Sequence, residues 1–143
     1  MKIDQISVFI ENRAGRLAAI TTALGDEGIN IRAMSLEDNS DFGILRLIVD
    51  DTQKAKKLLK ERGFAVRLSD VIAVEIVDKP GELGNLLRVL EEASLNVDYM
   101  YAFVQKNMEL AVMILRLDDL ERGIGALRLN DYNLLTADKV AGL

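Results

Sequence analysis

The feature that most constrains this fold is an internal repeat, because similar segments recur at an almost constant distance along the 143 residues. The alternating apolar pattern of residues 6–10 returns 66 positions later, at residues 72–76. Alternation with a period of two predicts a half-buried strand in each place. A fixed offset indicates duplicated structural units. The sequence therefore predicts two similar domains, residues 1–69 and residues 70–143.

A helix follows the first strand in each copy. Each helix begins after a polar turn that holds a glycine at the same relative position, Gly15 or Gly81. Apolar positions then recur at i, i+3, i+4 and i+7, as in a helix with one face on a core. Gly28 suits the position just after the first helix, and Pro80 suits the first turn of the second copy's helix. The matching positions are Leu17, Ile20, Thr21 and Leu24, and Leu83, Leu86, Leu87 and Leu90.

The second part of each copy repeats with an offset of 68, because copy two has two extra residues in the hairpin between about 100 and 109. A third strand ends at the acidic pairs Asp50-Asp51 and Asp118-Asp119. An acid before a helix favours N-capping, although a ligand role stays open. Residues 64–68 and 132–136 are predicted as closing strands. Only Ser69-Asp70 separates the two copies.

Each copy therefore has the order strand, helix, strand, strand, helix, strand. The predicted fold class is α+β, with two ferredoxin-like βαββαβ units whose antiparallel sheets are covered by helices. A unit of about 70 residues buries only about 60% of its unfolded surface and is marginal alone. We therefore expect the two copies to pack together.

Composition excludes several classes of function. The formal net charge of −5 argues against a nucleic-acid partner, since phosphate binding needs clustered Lys and Arg. The chain has no cysteine and no histidine, which removes disulfides, thiolate metal sites and histidine-based catalysis. No apolar stretch approaches the ~20 residues of a membrane span. We expect a soluble cytoplasmic protein with no cofactor, no metal and no membrane contact.

Taken together, a βαββαβ unit with glycine in its first turn, a Gly-x-Leu entry into helix one and an Asn before strand two resembles the ACT domain. The resemblance covers the whole chain, twice. It is clearest in residues 11–17 and 28–31, which resemble the serine-sensing regulatory domain of D-3-phosphoglycerate dehydrogenase. The family implies paired domains that bind an amino acid at their interface and regulate an enzyme of amino-acid metabolism.

The resemblance also implies which residues contact the amino acid. Unpaired backbone N–H groups at a helix N-terminus attract a carboxylate, and Gly15 lets a ligand approach the backbone closely. From the residues alone, Asn12 and Asn30 are also explained as turn or capping asparagines, and Arg13 and Arg16 as solvated side chains. The implied positions in copy one are Asn12, Arg13, Ala14, Gly15, Arg16, Leu17, Asn30 and Ile31.

Copy two departs from this pattern. Its implied ligand-binding positions are Asp78, Gly81, Leu83 and Asn96. Asp78 replaces an amide with a carboxylate, which suits an ammonium group, and Pro80 removes one backbone donor. Copy two is therefore expected to be a different site or an opposing wall. Tyr99, Tyr101 and Phe103 alternate on one strand and suit a ligand pocket, a core or an oligomer contact; this set stands apart from the implied positions.

Other functions of this fold fit less well. The Gly-rich phosphate loop followed by Phe-Arg of acylphosphatases is missing, and an RNA-recognition module would need a basic surface. We therefore expect no enzymatic activity. The alternative is a non-catalytic assembly subunit, such as the small subunit of acetolactate synthase. Expected partners are an amino-acid ligand and a second copy of the chain in a homodimer, with a catalytic enzyme subunit as a further candidate.

Overall fold

A computed structural model describes residues 1–11, 13–38, 41–104 and 109–143. The chain divides into two compact units. The first unit contains Asp4–Ser69 and Gly142, and the second contains Met1–Ile3, Asp70–Ala141 and Leu143. No helix in the described part of the chain is long and apolar enough to cross a membrane.

The elements follow the order that the repeat predicts, which confirms the two βαββαβ units. In the first copy they are β1 Ile3–Glu11, α1 Arg16–Asp26, β2 Ile31–Asp38, β3 Phe42–Val49, α2 Thr52–Glu61 and the start of β4 Ala65–Val77. In the second copy they are the rest of β4, α3 Glu82–Glu92, β5 Val97–Val104, β6 Leu110–Leu117, α4 Leu120–Leu129, β7 Asn133–Leu134 and α5 Ala137–Ala141.

In the first unit the strand order is β2-β3-β1-β4, which makes β2 an edge strand. β1 and β2 both run antiparallel to β3, with Ile6 and Met34 opposite Leu47. Alternate strand residues face the two helices and form the core with them. The buried core is Ile6, Val8, Ile10, Ile20, Leu24, Ile29, Leu45, Leu47, Val49, Ala55, Leu59 and Phe64.

In the second unit β4 pairs with both β6 and β7, and β5 is the outer neighbour of β6. Val74 lies opposite Met113 on one side and Leu134 on the other. The core repeats the first one position by position over much of its length. It contains Ile72, Val74, Ile76, Leu86, Leu90, Leu95, Ala111, Met113, Leu115, Leu117, Leu120, Ile124, Leu127 and Leu134.

Helix termini also repeat between the copies. The Asp51 side chain accepts a hydrogen bond from Lys54 N at 3.2 Å, and the Asp119 side chain accepts one from Arg122 N at 3.1 Å. The predicted N-caps of α2 and α4 are thus confirmed. The same Lys54 donates from Nζ to Glu27 O, 2.8 Å away, beside the end of α1. A cation there satisfies a carbonyl and opposes the negative end of the helix dipole.

Three local predictions differ from the structure. Ser69 and Asp70 lie inside the single long strand β4, because no glycine or proline interrupts that segment. Pro80 precedes the N-cap Gly81, so it lies outside the first turn of α3. The closing strand of copy two is only Asn133–Leu134, since Thr136 Oγ1 accepts a bond from Lys139 N and starts α5.

Candidate functional site

The turn between β1 and α1 depends on one glycine. Gly15 has φ +88°, in the left-handed region where a side chain is strained. Arg13, Ala14 and Gly15 are exposed, and Arg13 N donates to Glu11 O at 2.9 Å. Asn12 lies outside the described residues, so its predicted ligand role stays a prediction. The turn carries the chain from the end of β1 directly into the first turn of α1.

The N-terminus of α1 has no side-chain cap. Gly15 is its N-cap residue and has no side chain that accepts from the first turn, and Gly81 does the same for α3 at φ +93°. The α2 and α4 termini differ, since Asp51 and Asp119 cap them. The first N–H groups of a helix have no intrahelical partner and carry partial positive charge. Arg16 N and Glu82 N donate to Arg13 O and Lys79 O, so the N–H groups of the next two residues of α1 and α3 are the open donors that suit an anionic group.

A cleft of about 180 Å³ opens beside the start of α1. It lies on the helix side of the sheet, where Ile10 and Asp38 both pair with Gly43 on the central strand β3. A Cβ on Gly43 would come within 3.3 Å of Glu37 O and 3.6 Å of Ile10 Cγ1, so glycine leaves the space open. Drug-sized pockets span roughly 300–1,000 Å³, so this cleft suits a smaller ligand. Its lining is Ile10, Glu11, Arg13, Leu17, Leu36, Asp38 and Gly43.

Charges and apolar walls are combined in this cleft. Arg13 Nε lies 3.2 Å from Glu11 Oε2, so these two opposite charges pair. Asp38 makes no ion pair or hydrogen bond within the described part of the chain. Leu17 and Leu36 supply apolar surface from α1 and the edge strand. The arrangement offers open N–H donors, one unpaired carboxylate and a small apolar wall.

Arg16, the first residue of α1, is held against the core of its unit. Its guanidinium lies 4.7 Å from the centre of the Phe64 ring, within reach of a cation–π contact. The side chain is half-buried, and its Nε is buried with no hydrogen-bond partner in the described structure. Arg16 is therefore packed rather than freely solvated.

Asn30 and Ile31 lie at the other end of the first unit's sheet. Asn30 N donates to Asp50 Oδ1 at 3.0 Å, and Asp50 N donates to Asn30 O at 3.1 Å. Ile31 is opposite Val49, whereas the turn after β1 begins beyond the pair Glu11 and Phe42. Seven residues of strand separate the two ends, which is roughly 23 Å at about 3.3 Å per residue. The first unit alone does not bring Asn30 to the cleft.

The second unit repeats this separation. Asp78, Gly81 and Leu83 lie between the end of β4 and the first turn of α3. Asn96 precedes β5 at the opposite end, where its N–H donates to Asp118 Oδ1 at 3.0 Å. The predicted positions of each copy thus form two groups. The ligand roles assigned to them stay predictions.

Sequence reasoning missed five residues of the cleft: Ile10, Glu11, Leu36, Asp38 and Gly43. They come from three strands, and only the pairing of β2 and β1 with β3 makes them neighbours. The register across a hairpin is the signal that could have located Asp38 opposite Gly43.

The aromatic residues of β5 share one face of that strand. Tyr99, Tyr101 and Phe103 are opposite Arg116, Ile114 and Val112, whereas the neighbouring Met100 packs against the helix-side core. All three aromatic side chains are half-buried. The stripe therefore lies on the face away from α3 and α4 and outside the helix-side core.

A second, polar cleft of about 290 Å³ lies in the second unit, where Leu117 and Leu120 line it together with charged residues. Lys2 Nζ is 3.0 Å from Glu121 Oε1, and the hydrogen bond and charge of Glu121 raise the pKa of Lys2. Arg116 Nη1 donates to Asp70 O at 2.6 Å. Its acids Asp118 and Asp119 cap backbone groups. These polar groups are thus engaged in internal contacts.

No cluster of three or more acidic side chains in the described ranges is placed to hold a metal ion.

Comparison with known proteins gives a match over the full length. The profile of a family described as an ACT domain pair matches residues 1–143. A crystal structure of a Bacteroides thetaiotaomicron protein is 36% identical, covers 100% of this chain and 98% of its own, and superposes with a TM-score of 0.95. No curated protein matches the chain.

More distant structures share the fold. The ligand-free regulatory subunit of aspartate kinase from Thermus thermophilus is 20% identical over 87% of this chain and 88% of its own, with a TM-score of 0.68. The corresponding subunit from Thermus flavus is 19% identical over 98% and 92%, with a TM-score of 0.65. The likeness of the first copy to the dehydrogenase regulatory domain stays a prediction.

Proposed function

The chain belongs to the ACT domain family as a domain pair, and from this we propose that it is a non-catalytic sensor of an α-amino acid. The two domains of the proposal are residues 1–69 and 70–143. Binding of the amino acid regulates an enzyme of amino-acid metabolism in the cytoplasm. The observation that carries the proposal is the uncapped start of α1 beside a small cleft, where the carboxylate of Asp38 has no partner among the described residues.

Each part of an amino acid has a complement at this cleft. The ligand carboxylate accepts hydrogen bonds from the open N–H groups in the first turn of α1, beside Gly15. The apolar surface of Leu17 and Leu36 receives the side chain of the ligand. A role in ligand binding also explains why the N-terminus of α1 has no side-chain cap, whereas the N-terminus of α2 is capped by Asp51.

Asn30 reaches such a ligand only from another copy of the unit, because it lies at the far end of its own sheet. We therefore expect binding to couple to association of units, with a homodimer as the assembly. Regulatory subunits of aspartate kinase share this fold. This likeness supports a catalytic enzyme subunit as the partner that reads the ligand.

Thermal unfolding of the purified protein against each of the twenty amino acids tests the proposal. A ligand that binds only the folded state adds about 2.7 kcal/mol of stability at a hundredfold excess over Kd. For a protein of this size that corresponds to a rise of at least about 5 °C in Tm. A selective rise with one or a few related amino acids is expected. A flat panel would overturn the sensor and favour the assembly subunit.

Ala18→Pro locates the carboxylate. Ala18 is exposed in the first turn of α1, and proline removes its N–H group without changing charge. Loss of a hydrogen bond to a charged group weakens binding by about tenfold or more. Asn30→Ala is expected to abolish binding while the Asp50 contacts of its backbone keep the fold. Calorimetric titration measures the affinity of both variants for the amino acid, and circular dichroism checks that they fold. Unchanged affinities would refute these assignments.

A further inference from the structure

We infer that the two domains are unequal, and that only the first carries an acceptor for the ammonium group of the ligand, namely Asp38. This inference rests on the proposed function and makes it more specific. The predicted consequences are that the chain binds no more than one amino acid and that it discriminates an amino acid from the 2-hydroxy acid of the same shape.

Asp38 is the carboxylate that is available in the cleft of the first unit. It is the last residue of β2 and lines the cleft across from Ile10. Glu11 is already neutralised by Arg13 at 3.2 Å, whereas Asp38 has no partner among the described side chains. An ammonium group beside Asp38 would therefore form a new charge-assisted hydrogen bond without breaking an existing ion pair.

The second unit has no acidic residue at the two positions that correspond to Glu11 and Asp38. Val77 follows Ile76 as Glu11 follows Ile10, and Val104 pairs with Ala111 as Asp38 pairs with Gly43. Valine has no atom that accepts a hydrogen bond from an ammonium group. The two positions that match Glu11 and Asp38 in register thus hold valine in the second copy.

The second unit also has a larger side chain than the first at the position that matches Gly43. Gly43 leaves the floor of the first cleft open, while its counterpart Ala111, a residue that is 8% exposed, adds a methyl group. The cation also differs, since Lys79, at the position of Arg13, lies 3.8 Å from Glu82 at the start of α3. Asp78 is a carboxylate near this place, but it lies in the turn between β4 and α3 and at neither of the two strand positions that match Glu11 and Asp38.

The consequence concerns stoichiometry and ligand class. The starts of α1 and α3 both lack a side-chain cap, so each unit offers N–H groups to a carboxylate. The ammonium acceptor is present in one unit alone. A ligand that needs both groups therefore occupies the first unit, and a ligand that lacks the ammonium loses the contribution of Asp38.

Isothermal titration calorimetry tests this on the full chain. The probes are each amino acid that raises the Tm of the wild type and the 2-hydroxy acid of the same side chain. We expect at most one amino acid bound per chain and an affinity about tenfold lower for the hydroxy acid, the usual size of a lost hydrogen bond to a charged group.

Three substitutions of aspartate by asparagine separate the inference from general charge effects. Asp38→Asn should lower the amino-acid affinity about tenfold and leave the hydroxy-acid affinity unchanged. Asp26→Asn, at the exposed far end of α1, makes the same change of charge away from the cleft and should have no effect. Asp78→Asn should also have none, because the second unit takes no ammonium group.

The outcomes distinguish this inference from the function on which it rests. Absence of binding by every amino acid overturns both. Binding of two amino acids per chain, an equal affinity for the hydroxy acid, an unchanged Asp38→Asn or a weakened Asp78→Asn overturns the inequality of the domains and leaves the sensor standing. Circular dichroism of each variant ensures that a lost affinity is not a lost fold.

Discussion

Gly123 and Gly125 lie two residues apart in α4, yet replacement by alanine has opposite consequences at the two positions. Gly125 is exposed, and an added Cβ would meet no atom within 4 Å. Gly123 is buried, and its added Cβ would overlap Cδ1 of Leu117 and lie 3.9 Å from Cδ1 of Leu95. Leu117 is 1% exposed in the core, so it has little room to move.

The free energies follow from two opposing effects. Alanine stabilises a helix interior by about 0.5–1 kcal/mol relative to glycine, and Gly125→Ala should gain this in full. Gly123→Ala gains the same amount but forces a methyl group into a packed core, which costs about 1–3 kcal/mol. We expect a net loss of about 1 kcal/mol at Gly123 and a difference of about 1–3 kcal/mol between the variants.

Urea denaturation of the two variants measures this difference directly, because both make the same change from glycine to alanine in the same helix. Leu117→Val removes Cδ1, so in that background Gly123→Ala should lose about 1 kcal/mol of its cost. Equal stabilisation by both alanines would refute the reasoning. It would mean that Leu117 gives way freely and that glycine is not needed for the approach of α4 to β6.

Further predictions concern stability. Asp51→Ala and Asp119→Ala each remove an N-cap acceptor and should lower the free energy of unfolding by about 1 kcal/mol in urea titrations; a loss at only one would contradict their equivalence. Burial, and secondarily the charge of Glu82, raises the pKa of Tyr132 above 10.0. Its phenol therefore stabilises the fold below pH 10 and loses this contribution as pH rises through the folded pKa. Tyr132→Phe should flatten the fall in Tm measured above pH 10; an unchanged slope would refute this cause.

Much of the fold could be predicted from the sequence because its signals are local. Alternation places Ile6 and Val8 on one strand face, and an acid before an apolar helix pattern marks the Asp51 cap. The predicted gap between the closing strand of the first copy and the opening strand of the second was wrong, because two local signals compete there. Ser69-Asp70 suggested a boundary of strands, but a segment with no glycine or proline continues as one strand.

The candidate site could be predicted only in its first part. The turn around Gly15 precedes a helix pattern, so an open helix N-terminus follows from the sequence. The rest of the cleft comes from β2 and β3, and alternation does not specify which residues of two strands pair. Asp38 and Gly43 therefore have no signature of their own, and Arg16 gives no sign of its contact with Phe64.

The sequence by itself determined the duplication, the order of elements in the two βαββαβ units and the acidic N-caps of α2 and α4, because each depends on spacing between residues close in the chain. Only the tertiary structure decided which helix start opens on a described cleft, and which carboxylate there has no partner among the described side chains. It also separated Asn30 from that cleft within one unit. Strand register brings distant residues together, and it is set by the packing of the whole unit rather than by any one segment.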